Sequence, residues 1–225
     1  MRRVLTLALI ALTIMVANAQ VSPDSVSSTY RKGVFHTHIT RHVNAGIEQT
    51  NQMLDSLISQ FQINPEMLYD WALEGTGQQH DGTEKDDVIL ILRSTTYNPK
   101  AHRSVMIFDV DVPAFKRIKD ITIESIITSE KPNHDIRHIN VDMYTSLVLK
   151  HAHGILTAKQ IAPGQCILKM DVDIKFGWFF NLFITQKKYK ALAEFRLVKF
   201  INNLKYCASH PTTFIGVKTG GPRKK

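Results

Sequence analysis

The spacing of apolar and polar residues changes period three times along the chain, and the predicted elements follow from those changes. From Asn44 onward, Ile47, Leu54, Leu57, Ile58 and Phe61 recur at helical spacing with polar residues on the other side, which predicts a helix. "INPEMLYDWALEG" predicts a second: Asn64 can cap it, Pro65 suits the first helical position, Glu66 favours the first turn and Gly75 can end it. After a polar loop, 75–87, the period falls to two. Strands are predicted at 88–97, 104–112, 120–129, 136–150, 154–161 and 166–178, separated by turn residues at Asn98-Pro99, Pro113, Lys131-Pro132-Asn133, Gly154 and Pro163-Gly164. "VFHTHIT", 34–40, adds one strand ahead of the helices, and the short connections make an antiparallel meander the default. The last period is helical again. Between Asn181 and Tyr206, the residues Tyr189, Ala193, Leu197, Phe200 and Leu204 form one stripe that Leu192, Phe195 and Val198 widen, so this helix should be largely covered.

In the last strand Leu168, Met170, Val172, Ile174, Phe176 and Trp178 share one face, while Lys169, Asp171, Asp173 and Lys175 share the other. One face is core and one is wet. At Gly177 the chain leaves the sheet, and Phe179, Phe180, Leu182 and Phe183 are expected to cover the corner.

The N-terminus reads as a targeting segment. Met1-Arg2-Arg3 is a positive start, Val4 to Val16 an apolar stretch and Ala17-Asn18-Ala19 a small-residue cleavage site, so residues 1–19 are expected to be a signal peptide and the product to be exported, periplasmic or secreted. The apolar stretch is too short to span a bilayer, and no transmembrane segment is expected in the mature chain. Residues 20–33, Ser-rich with Pro23 and Gly33, read as an irregular leader; 34–210 as a single domain; and 211–225 as a flexible basic tail. Cleavage removes Arg2 and Arg3 and takes the formal charge from +8 to +6. Four of those positives, Lys218, Arg223, Lys224 and Lys225, lie in the tail. The body is only weakly basic, which argues against a nucleic-acid partner.

One strand, two helices, six strands and a long C-terminal helix resembles the START-like, or helix-grip, superfamily of polyketide cyclase and lipid-transfer type. The resemblance covers roughly 34–207 and rests on the order of elements. It implies an α+β fold in which a seven-stranded curved antiparallel sheet wraps a long C-terminal helix, with two shorter helices after the first strand. It also implies a cavity between sheet and helix. The inward candidates for lining it are Trp71, Phe108, Val110, Met143, Leu147, Met170, Val172, Phe176, Trp178, Leu197 and Phe200, a set that equally describes a packed core. A strand over 166–178 extends about 40 Å and a helix over 181–207 about 39 Å. If the helix runs back along the strand, Cys166 and Cys207 meet at one end, and an oxidising compartment favours a disulfide between them; two buried free thiols are the alternative.

Candidate chemistry changes this picture little. His36 with His38, and His151 with His153, are His-x-His pairs on one strand face, the spacing that lets two imidazoles reach a metal, and His134 with His138 is a third pair at a turn; exposed histidines are the plainer reading. Asp109 with Asp111, and Asp171 with Asp173, are paired carboxylates expected on the wet outer face. Tyr69, Ser94, Tyr144 and Thr145 are further polar groups whose facing depends on strand register. No nucleophile elbow, phosphate loop or zinc-protease helix occurs, and no catalytic residue, cofactor or metal is assigned. The expected function is non-enzymatic binding of a hydrophobic small molecule or lipid. The alternatives are an enzyme of cyclase or hydrolase type on the same fold, or a solid-core interaction protein of the cell envelope.

Overall fold

The computed structural model describes residues 24–63, 89–111, 117–145, 149–181 and 184–210. The second predicted helix, with Trp71 and Tyr69, lies outside them, as do Leu147, the N-terminal segment and the basic tail. Eight strands form one open antiparallel sheet: β1 (Ser25–Arg31), β2 (Val34–Val43), β3 (Ile89–Asn98), β4 (Arg103–Asp111), β5 (Ile118–Asn133), β6 (Ile136–Thr145), β7 (Leu149–Ala162) and β8 (Gln165–Phe176). Their order is β1-β2-β8-β7-β6-β5-β4-β3.

The additional strand is β1, in the segment expected to be irregular. Lys32 and Gly33 both take positive φ, the geometry of the tight turn that matches strand twist, and the turn folds β1 onto β2 from Arg31↔Val34 to Ser25↔Thr40. Gly154 is no turn. It lies inside β7, paired with Val141 and Val172, and the break falls instead between Thr145 and Leu149.

Helix α1 (Ile47–Ile63) buries Met53, Leu54 and Leu57 on the sheet. After β8 come a short α2 (Trp178–Asn181), α3 (Gln186–Tyr189), a π-turn (Lys190–Glu194) and α4 (Phe195–Ser209), so the C-terminal helix starts later than predicted and changes winding once. Thr185 caps α3, its side chain accepting from the Lys188 amide. No helix among the described residues is long and apolar enough to cross a membrane.

One core cluster joins the inner face of β2, β6, β7 and β8 to α1 and α4, with Ile39, Val43, Leu54, Leu168, Ile201 and Leu204 among its buried members. Two buried arginines pin the layers. Arg41 donates to Asn202 Oδ1 on α4 at 2.7 Å and to the carbonyls of Ser25 and Thr40. Arg137 donates to Asp55 Oδ1 at 2.6 Å, to the Asn51 carbonyl and to Ser129, holding α1 against β6. Both satisfy the rule that a buried charge must be hydrogen-bonded.

Cys166 and Cys207 both enter that cluster, yet they are free thiols and not at disulfide distance, which overturns the predicted bridge. Agreement of length along an axis does not by itself bring two sulfurs within bonding distance. Cys166 is fully buried in the cluster, with the Thr50 side chain of α1 close enough to offset a little of the effect of burial on its thiol. Burial pushes both thiols above their ordinary range, so they behave as small inert apolar groups.

Candidate functional site

Between the inner face of β4–β8 and the two helices the core is not filled. A cavity of about 290 Å³ is lined by Met106, Ile127, Ile139, Val141, Met143, Leu156, Met170, Val172 and Ile174 from the sheet, Leu57 and Ile58 from α1, and Arg196, Leu197 and Phe200 from α4. The space follows from residue size at the middle of β7. Ala152 and Gly154 are both wall residues. A Cβ added at Gly154 would meet Val172 Cγ2 at 3.7 Å and two backbone oxygens at 3.9 and 4.0 Å, which is ordinary contact. Glycine inside a strand therefore marks a place where the backbone leaves room for something else.

Of the residues predicted to line a cavity, Met143, Met170, Leu197 and Phe200 do so, and Val172 joins them. Phe108 is buried without reaching the lining. Phe176 packs elsewhere, edge-on to Phe35 at 5.9 Å and to Tyr189 at 6.5 Å. Trp178 is 80% exposed, contrary to its predicted inward parity, because β8 ends at Phe176 and the chain turns at the buried Gly177, where alternation stops. Trp71 and Leu147 lie outside the described residues.

Among the described residues, two polar side chains reach the wall. Ser125 is hydrogen-bonded to Ser104 across β4 and β5, the two hydroxyls 2.5 Å apart and both buried. Arg196 is the other. Neither was singled out from the sequence, since Ser104 and Ser125 belong to different strands and only register brings them together. Tyr144 and Ser94 are exposed, while Tyr69 and the Thr145 side chain are not described. The groups with displaced titration lie away from the cavity. Burial pushes the Tyr189 hydroxyl up; it bonds Thr37 at 2.6 Å, and Thr37 bonds Ser28 at 2.7 Å, a buried chain that fixes the start of the helix to β2 and β1. Phe35 stacks on the Tyr189 ring at 4.1 Å.

Asp109 is 1% exposed, so the expectation of a solvated carboxylate fails there; the Arg93 guanidinium bonds it at 2.8 Å and holds it below the usual range. Asp171 and Asp173 do stand on the outer face, where they meet the histidines. His36 Nδ1 is 2.7 Å from Asp173 and His38 Nδ1 2.6 Å from Asp171. His153 Nδ1 is 2.7 Å from Asp142, with His151 stacked beside it at 6.3 Å. His36, Asp173, His153 and Asp142 share one register row across β2, β8, β7 and β6. Among the described residues, no three His, Cys, Asp or Glu side chains converge as a metal site.

No family pattern matches the chain, and no curated protein matches it in sequence. Solved structures do match. An aromatase/cyclase from Streptomyces sp. R1128 is 13% identical, with 81% of this chain and 98% of that one covered at a TM-score of 0.50. A truncated norcoclaurine synthase from Thalictrum flavum is 10% identical, covering 84% and 99% at 0.47. A START superfamily protein from Mycobacterium smegmatis is 12% identical, covering 77% and 96% at 0.45. An open antiparallel sheet gripping a C-terminal helix, with a cavity between them, gives this chain the START-like fold.

Proposed function

We propose that the protein binds a hydrophobic small molecule or lipid between the inner sheet face and α4, and that it does so after export. The observation that carries this reading is the apolar cavity of about 290 Å³ inside an otherwise close-packed core. Three methionines, Met106, Met143 and Met170, give it an adaptable wall. Removing apolar surface from water there contributes roughly 25 cal/mol per Å². The charged N-terminal start, apolar stretch and small-residue site over 1–19 support export. Among the described residues of the lining the polar side chains are Ser125, already bonded to Ser104, and Arg196, a wall that favours binding an apolar molecule.

Native mass spectrometry on protein exported by its own signal, followed by solvent extraction, tests the reading. A stoichiometric apolar molecule that leaves on unfolding is the expected result. A clean apo mass, together with no uptake of the neutral apolar dye N-phenyl-1-naphthylamine, overturns it.

A further inference from the structure

Arginine side chains elsewhere in the molecule show what this protein does with a guanidinium. Arg41 and Arg137 are buried and fully engaged, Arg93 pairs with Asp109, and Arg103 pairs with Glu124. Arg31, exposed at the end of β1, has no partner among the described residues, and Arg196 has none either although it is half-buried. It stands in the first turn of α4 and lines the cavity. Glu194 does not answer it: two residues apart on a helix face different ways, and a buried Glu194 oxygen is itself without a hydrogen bond. An arginine keeps its charge at neutral pH, and none of the Arg196 nitrogens is buried without a partner, so the guanidinium is accessible to an incoming anion. Its stem can cover apolar wall while the head stays at a wet rim. That places a planar two-pronged donor beside a cavity whose described lining is apolar apart from Ser125, which is bonded to Ser104.

Volume narrows the class further. About 290 Å³ stands at the low end of small-molecule sites, roughly 300 to 1,000 Å³, which suits one short chain or one ring system better than a two-chain lipid. We infer that the cavity takes a single-tailed amphipath with an anionic head, a carboxylate or phosphate, its tail among Met106, Met143, Met170 and Phe200 and its head at Arg196. This rests on the binding function proposed above and adds the head group to it.

The test is displacement of bound N-phenyl-1-naphthylamine at neutral pH by decanoate, decyl phosphate and 1-decanol, which share a tail and differ in head. An anionic competitor should act at about tenfold lower concentration than decanol, the scale of one charge-assisted pair. In Arg196→Gln that ratio, read within the variant, should fall to about one, and Arg196→Lys should restore part of it. The two anions separate a carboxylate site from a phosphate site. Equal displacement by all three in the unaltered protein, or a ratio that survives Arg196→Gln, overturns the anionic head. The cavity reading then still stands if the dye binds and Gly154→Leu expels it. If the dye does not bind unaltered protein whose native mass is that of the apo chain, both fall.

Discussion

Along α4, Ile201, Leu204, Cys207 and Ala208 are sealed in the core cluster with Val43, Leu54 and Leu168, whereas Leu197 and Phe200 stay half-buried over the cavity. The helix is comparably apolar on both stretches. What differs is the opposite wall: Ile39, Val43 and Leu168 fill the sealed part, while Ala152 and Gly154 leave the other hollow. The sheet, through two small residues of one strand, decides where the molecule is solid.

The largest expected effect tests the sealed part. Leu204→Ala should cost about 3 kcal/mol by urea denaturation, the usual loss for a fully buried leucine, while Leu197→Ala should cost about 1 kcal/mol because its side chain already lacks neighbours on one side. Equal costs would erase the distinction. Next, Gly154→Leu should leave the fold intact and stabilise it by roughly 0.5–1 kcal/mol, since glycine weakens a strand interior, while abolishing dye uptake. A stable variant that still binds the dye would place the ligand elsewhere.

The smallest effect concerns acid. Burial alone would raise the Asp24 carboxyl, but the His42 amide at 2.7 Å and Lys205 at 2.9 Å bring it down from the ordinary 3.8 to about 2. A depressed folded value means stabilisation that is complete above about 4 and lost as pH falls through 3.8 toward 2. Urea midpoints should therefore fall more in the unaltered protein than in Asp24→Asn over that interval, and by a modest amount because Asp24 is part-exposed. Identical slopes would mean that this clasp between the chain ahead of β1 and α4 contributes nothing.

Period and turn chemistry in the sequence carried most of the sheet, because alternation in β8 or β4 is a local property. Three features escaped for physical reasons. β1 is polar, and its inward Ser28 is held by a hydroxyl on β2 that only pairing supplies. Gly154 has the composition of a turn and the role of a wall, which spacing cannot distinguish. The cysteines agreed in reach along their elements, but reach along an axis does not fix the separation of two sulfurs, and both thiols are free. For the cavity, residues with strong inward parity, Met143, Met170, Leu197 and Phe200, were legible. Arg196 was not, since a charged residue on a helix reads as solvated until its surroundings are known.

The π-turn at Lys190–Glu194 has a consequence for the whole helix. It holds one residue more than regular winding would, a lag of about 100° in the phase of everything after it. Without the lag, Tyr189 would stand about 120° around the axis from Ile201; with it, the two come nearly into line, and Tyr189, Ile201, Leu204 and Ala208 are all buried. The C-terminal helix is thus two helices spliced out of phase. Deleting any one residue of the splice would swing the hydroxyl anchor and the cavity roof out of step, so the number of residues in this turn sets which side chains face the hollow.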